Sequence, residues 1–414
     1  MLRRFAAYLE RRFGLRALVA GLCDGRLLPQ IPTRAIWLSV FGMYLLRLRS
    51  FNALEQELRL SRRWEAWVGA RKPSADTIGR VFASMSAEQT RQILSAVLRS
   101  AWRSKAIHPR PGESYRVVAV DGHEIGASRA RCCPQCLVRE IKRATGTVLE
   151  YYHRVVAAQW IGVTPPAILD LELIGPGEGE VTTARRLLER ILRQHSRLID
   201  VISADALYLE APFLNQVLDA GKHAVIVMKQ EQRDLFQDAE KLRSLVAPQI
   251  LVDGPKTTRL WDIPELSSFT TLGRTVRVVW AEEQTRKRKI VGGKPTDVVE
   301  ENTWVWVTDL PSATVPPTKI QRWGHDRWDI ENRGFNELVN LWHMDHYFIH
   351  DITAIETLLL TLAVAFVTTY LFYERNLKAS VRRHLTRLAL AARMADDLTL
   401  LGGAGAWAPL EPSG

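Results

Sequence analysis

The sequence predicts an α/β protein: a mixed sheet preceded by a helical N-terminal region, interrupted by a β-rich insertion and followed by C-terminal helices. Three observations predict it. Apolar residues recur at three- and four-residue spacings through residues 1–110; short β-branched runs then alternate with helical ones; and after a second strand-dense stretch the helical period returns.

Composition bounds the function classes. The 414 residues are 47% hydrophobic and 24% charged, which is globular chemistry with length for roughly two or three domains. A net charge of +11, carried in arginine-rich clusters such as LRLSRRW and RTVRVV, suits a polyanionic partner, nucleic acid first. Four cysteines, three of them Cys132, Cys133 and Cys136, exclude a disulfide framework and fit a reducing cytoplasm. The opening MLRRFAAYLERRFGLR lacks the apolar core of a secretory signal. Residues 351–373 are apolar enough for a membrane span, but Glu356 falls inside them. A buried core helix is the simpler reading, and no membrane partner is expected.

Residues 1–110 read as helices punctuated by Pro29, Pro32 and Pro73. LRRFAAYLERRFGLRALVAGL, RAIWLSVFGMYLLRLRSFNALEQELRL and AEQTRQILSAVLRSAWRSKA carry the helical period. In KPSADTIGRVFASM, Ser74 or Asp76 stands at an N-cap position ahead of the apolar face Ile78, Val81 and Phe82. The basic residues Arg47, Arg49, Arg59, Arg62, Arg63, Arg71 and Lys72 make either a phosphate-binding face or a solvated one, and this region is the expected DNA-binding part.

HPRPGESY, residues 108–115, reads as a linker. Strands are then expected at 116–121, 151–161 and 167–174, followed by the helix EVTTARRLLERILRQH, the strand DVISAD, the helix EAPFLNQVLDAG and the strand KHAVIVMKQ. Three strands, a helix, a strand, a helix and a strand is the order of an RNase H-like fold, whose first and fourth strands lie side by side. RVVAV ends on Asp121 and DVISAD on Asp205, so the two carboxylates are expected together. Taken alone, Asp121 and Gly122 are an ordinary turn pair.

After short strands over residues 257–309, the run TKIQRWGHDRWDIENRGFNELVNLW reads as helix. It puts Arg327 and Glu331 four residues apart on one face, continued by Phe335 and Leu338. By itself this is a surface ion pair; its place after the fifth strand makes Glu331 the candidate third acid. Three acids in a basic protein suit magnesium, which takes oxygen ligands. Two such ions about 4 Å apart activate an attacking hydroxyl and stabilise the leaving oxygen of a phosphodiester. Arg327 would orient Glu331 or contact a phosphate. The expected divisions are a helical DNA-binding region at 1–110, the first part of the catalytic domain at 111–230 and a β-rich insertion at 231–312. The last part of the catalytic domain, carrying Glu331, spans 313–375, and a C-terminal helix with a disordered tail spans 376–414.

The blocks VVAVDGHEI, ISADALY and RWDIENRGFNEL, the last following a β-rich insertion, resemble a DDE transposase of the bacterial insertion-sequence type. The likeness spans roughly residues 70 to 370 and is nearest the insertion-sequence-four-like group, whose RNase H-like domain carries such an insertion. It implies that Asp121, Asp205 and Glu331 are the catalytic acids and bind two magnesium ions, which manganese can replace. It also implies a polynucleotidyl transferase that nicks transposon ends and joins their 3′ hydroxyls to target DNA by cut-and-paste transposition. The implied partners are double-stranded DNA, as terminal inverted repeats and target, and a second copy of the chain in a homodimer; the implied location is the cytoplasm, with the nucleoid. Members of the group often carry a Tyr three residues before the Arg and a Lys or Arg seven after the Glu. Here those positions hold Gly324 and Leu338, with Trp323, His325 and Arg333 as substitutes for phosphate contact.

Two further motifs stand apart. Cys133 and Cys136 have the spacing of half a zinc site, with His123 and His153 on flanking strands as further ligands; reduced cysteines in a hairpin loop are the alternative. In the insertion, Arg286, Lys287, Arg288 and Lys289 with Gly292 and Gly293 read as a flexible phosphate-contacting hairpin tip or an exposed polar loop. An active transposase is favoured over a domesticated or catalytically inactive DNA-binding relative, because the three acids are intact. Another RNase H-like nuclease, such as a resolvase, would not need the long insertion or the helical N-terminus.

Overall fold

The computed structural model describes residues 1–61, 63–144, 146–229, 233–291 and 294–399. Arg62, Gly292, Gly293 and the expected disordered tail lie outside them. The chain opens on helices α1 (Leu2–Phe13), α2 (Leu15–Ala20), α3 (Thr33–Leu45), α4 (Phe51–Leu60), α5 (Arg63–Val68), α6 (Ala75–Ser84) and α7 (Ala87–Arg103). The two long runs at the start each break once, at residues with left-handed backbone: Gly14 (φ 60°) between α1 and α2, and Arg47 (φ 59°) between α3 and α4. Ser74 is the N-cap of α6, accepting from Thr77 N at 3.3 Å, and Ile78, Val81 and Phe82 are buried. Arg47 is partly buried. Its guanidinium stacks 3.0 Å from the centre of the Trp342 ring.

The linker is tied down at both ends. His108–Pro109 pairs with Val163–Thr164, and Glu113 accepts from Trp323 Nε1 at 2.9 Å. Strands β1 (Val117–Ser128), β2 (Leu137–Arg143), β3 (Gly146–Ile161) and β4 (Ala167–Leu173) follow. Next come α8 (Glu180–His195), β5 (Val201–Ala204), α9 (Ala211–Asp219) and β6 (His223–Val227). The insertion comprises α10 (Arg233–Arg243), β7 (Gln249–Asp253), β8 (Lys256–Leu266), β9 (Val276–Val291) and β10 (Lys294–Thr308). One mixed sheet runs β2-β3-β1-β5-β6-β10-β9-β8-β7, with β4 also on β3. Its centre, β4-β3-β1-β5-β6, has the expected RNase H-like order, and the insertion extends it from β6. β1, β5 and β6 are parallel and carry the wholly buried runs Val117–Val120 and Val201–Ala204, as strands covered on both faces must. β2 was not expected: LVREIKR is polar and alternately exposed.

The expected single late helix is broken. It runs as α11 (Pro317–Asp326), a π-helical turn at Ile330–Phe335 and α12 (Asn336–Trp342). Then come α13 (Ile352–Asn376), α14 (Ala379–Arg382) and α15 (Arg387–Thr399). α13 is the apolar stretch. It packs on α3, α6, α7 and β4 and is buried around nearly its whole circumference, so it is a core helix joining the N-terminal helices to the sheet.

Candidate active site

Strand register brings the first two acids together. β1 pairs in parallel with β5 as Val117 with Val201, Val118 with Ile202 and Ala119 with Ser203. Carried on by two residues, that register sets Asp121 opposite Asp205. β5 ends at Ala204, and Asp205 caps the next turn, accepting from Leu207 N at 3.0 Å. β1 does not end at Asp121; it continues to Ser128 on β3 alone, so the Asp-Gly turn reading is wrong. Gly122 is there for a different reason: a Cβ would collide with the Glu180 carboxylate.

Arg327 joins the third acid to the first. It follows α11, is 4% exposed and donates from Nη1 to Asp121 Oδ2 at 3.0 Å and to Glu331 Oε1 at 3.2 Å. One nitrogen thus holds oxygens of both carboxylates within about 6 Å of each other. Asp121 is buried, Asp205 and Glu331 partly so. Burial pushes the Asp121 carboxyl up, Asp205 and Glu331 push the same way, and Arg327 and the Gly122 amide oppose them; the result is about 7. A group of carboxylates with one guanidinium among them lacks positive charge. All-oxygen donors with that deficit fit a hard divalent cation.

The surrounding shell was not legible from the motifs. Glu180, at the start of α8, lies against Gly122 and is held by Arg154 Nη2 at 2.6 Å and Tyr208 Oη at 2.8 Å. Arg154 neutralises it, so Glu180 fixes β1 beside Asp121. His123 stacks on Phe335, centroids 4.6 Å apart at 14°, and thereby ties β1 to the π-helical turn bearing Glu331. Glu124 accepts from Arg139 at 2.7 and 2.9 Å. Their signals in the sequence are faint: an acid in the first turn of α8 and the residues after Asp121 in the DGHE block.

Residues 113–367 match the family described as Transposase DDE domain. The chain belongs to this family. No curated protein is a significant match. The three acids gathered by the fold are those on which the resemblance of the sequence rests.

Other expected residues of the transposase are placed differently. Arg327 is enclosed between Asp121 and Glu331 and is not on the exposed surface. Arg333 is exposed, 3.5 Å from Asp329. Arg286, Lys287, Arg288 and Lys289 lie within paired β9, not at a flexible tip, and Lys287 and Lys289 bind Glu300 at 2.6 and 2.5 Å. That leaves Arg286 and Arg288 as the exposed cations of this patch without a carboxylate partner among the described residues. Trp323 and His325 are engaged by Glu113 and Glu283, each at 2.9 Å. Gly324 is small because any Cβ would overlap the Trp306 indole. Leu338 is buried. His123 is not with the cysteines: its ring is held on Phe335, and Cys133, Cys136 and His153 cluster without it.

Proposed function

We propose that the chain is an active transposase that cuts the ends of its element and joins the freed 3′ hydroxyls to target DNA. Asp121, Asp205 and Glu331 hold magnesium, or manganese in its place, and a homodimer acts on paired terminal repeats. The observation that carries this reading is the parallel β1–β5 register with Arg327 bridging Asp121 to Glu331. The bound cation would supply Lewis acidity toward the phosphodiester and its nucleophile. The chain's own groups do the rest. Arg327 and the Gly122 amide hold Asp121 in place, the Leu207 amide fixes Asp205, and His123 packs the Glu331 turn against β1.

DNA contact belongs to the exposed Arg333 beside Glu331, whose ion pair with Asp329 is long at 3.5 Å, and to Arg286 and Arg288 on the insertion, which have no carboxylate partner among the described residues. A cleft of about 510 Å³ lined by Arg99, Arg103, Arg193 and Arg197, with no carboxylate in its lining, offers a further polyanion surface.

The test is cleavage and strand transfer with DNA flanking the gene, where short inverted repeats identify the ends. Asp121→Ala, Asp205→Ala and Glu331→Ala are each expected to lower cleavage by at least about 10³-fold, with end binding by gel shift within a few-fold of the unaltered protein. Full cleavage by any one of them removes that residue from the site.

A further inference from the structure

The loop joining β1 to β2, which flank β3 on opposite sides, carries a site that the transposition chemistry does not use. Cys133 and Cys136 bring their Sγ atoms to 3.6 Å, and each lies 3.4 Å from Nε2 of His153 on β3. The loop is folded on itself to do this: Cys133 N donates to Cys136 Sγ at 3.2 Å, and Cys136 N to the Cys133 carbonyl at 3.1 Å. His153 is fully buried and Cys136 nearly so. Tyr347 locks the base of the cluster, accepting from His153 N at 2.8 Å and donating to the Gly126 carbonyl at 2.5 Å.

Two ordinary explanations fall short. A disulfide needs sulfurs about 2.05 Å apart, far inside 3.6 Å. Hydrogen bonding can set one thiol on Nε2 and the other on its neighbouring sulfur, but such a relay does not account for both sulfurs lying at the same distance from Nε2. A tetrahedral zinc ion accounts for all three distances. With Zn–S about 2.3 Å and Zn–N about 2.05 Å, tetrahedral edges are about 3.8 Å for S–S and about 3.6 Å for S–N. The observed edges match to within about 0.2 Å.

We infer that Cys133, Cys136 and His153 bind one structural zinc ion that fastens the β1–β2 loop to β3. His350, whose buried Nδ1 has no hydrogen-bond partner among the described residues, packs on Tyr347 with rings 4.7 Å apart and lies outside the three-residue cluster; the three protein ligands leave the fourth position to water. Binding releases the two thiol protons to solvent, leaving a neutral imidazole and two thiolates on the ion. The site is independent of catalysis, so its failure would leave the transposase reading untouched.

The experiment uses full-length protein purified without chelator. Elemental analysis is expected to give one zinc per chain, and cobalt substitution to give the thiolate charge-transfer band and intense visible absorption of a tetrahedral site. Cys136→Ser and His153→Ala should lose both, while His123→Ala keeps them. Because loss of a ligand can unfold the loop, a second measurement uses the unaltered protein. With zinc bound, only the exposed Cys23 and Cys132 should react rapidly with a thiol reagent. After chelation all four react, and added zinc restores protection of two. Zinc below about 0.2 per chain after reconstitution, or four equally reactive thiols at saturating zinc, overturns the assignment.

Discussion

Burial and two neighbouring carboxylates hold the Asp121 carboxyl at about 7, against about 3.9 for an unfolded Asp. Between those pH values the folded chain binds a proton that the unfolded chain has released. Stability of the metal-free protein therefore falls as pH rises through roughly 4 to 7, and above 7 the whole penalty, on the order of a few kcal/mol, is present. Magnesium competes with that proton, so its stabilising effect should be near zero at pH 5 and full at pH 8. Asp121→Asn keeps an oxygen for Arg327 and removes the titrating charge. It is expected to raise the apoprotein melting temperature by several degrees at pH 8 and little at pH 5, while abolishing both cleavage and the magnesium response. Melting curves of the two proteins across pH, with and without MgCl₂, check this. Parallel curves for both would mean that Asp121 does not carry the strain of the site.

At the scale of elements, the site depends on how α11 delivers Arg327, and Gly324 decides that. Gly→Ala within a helix ordinarily gains about 0.5–1 kcal/mol. Here the new Cβ would run into the Trp306 indole, which is 1% exposed and has no room to retreat. The clash, typically about 1–3 kcal/mol, outweighs the propensity gain. Gly324→Ala should lower stability by about 1–2 kcal/mol and shift α11, reducing turnover more than DNA binding. Trp306→Phe should restore part of both; equal or better stability in Gly324→Ala alone would show that the indole yields. The same element marks what the sequence could convey. The apolar runs RVVAV and DVISA announced their strands, because a strand buried on both faces needs side chains of that kind. The chain order of the elements then placed Asp121 near Asp205. The break of the late helix at residues 327–330, the π-helical turn and the Trp306–Gly324 contact were not legible, since each depends on a residue distant in sequence. β2 was missed because its order comes from charge pairing, Arg139 with Glu124 and Glu150, on a strand with little apolar pattern.

Across the whole molecule, one buried guanidinium ties the N-terminal helices to the catalytic sheet. Arg91 on α7 is 5% exposed; it donates to Asp170 on β4 at 2.9 Å, to Glu356 on α13 at 2.6 Å and to Glu88 at 3.1 Å. Asp170 is 1% exposed and also takes Arg190 of α8 at 2.6 Å. Glu356, the charge that spoils residues 351–373 as a membrane span, thus has a partner supplied by a helix that the apolar stretch packs against. Four elements meet at this point, so the helical region and the sheet should unfold together. Removing one partner from a buried ionic network leaves the others desolvated without compensation, which costs about 3–5 kcal/mol; Asp170 keeps Arg190, so the lower figure applies. Arg91→Met is expected to lower stability by about 3 kcal/mol, seen as a shift of the denaturation midpoint. Arg91→Lys should recover little, because an ammonium cannot serve three carboxylates from one plane. Glu356→Gln, at a partly exposed position and with an amide oxygen left to accept from Arg91, should cost less than Arg91→Met, about 1 kcal/mol. Asp170→Asn added to Arg91→Met should return part of the loss by removing the stranded charge. Helix and sheet signals that melt at separate midpoints in the unaltered protein, or an Arg91→Met variant within about 0.5 kcal/mol of it, would show that the node does not join the two parts.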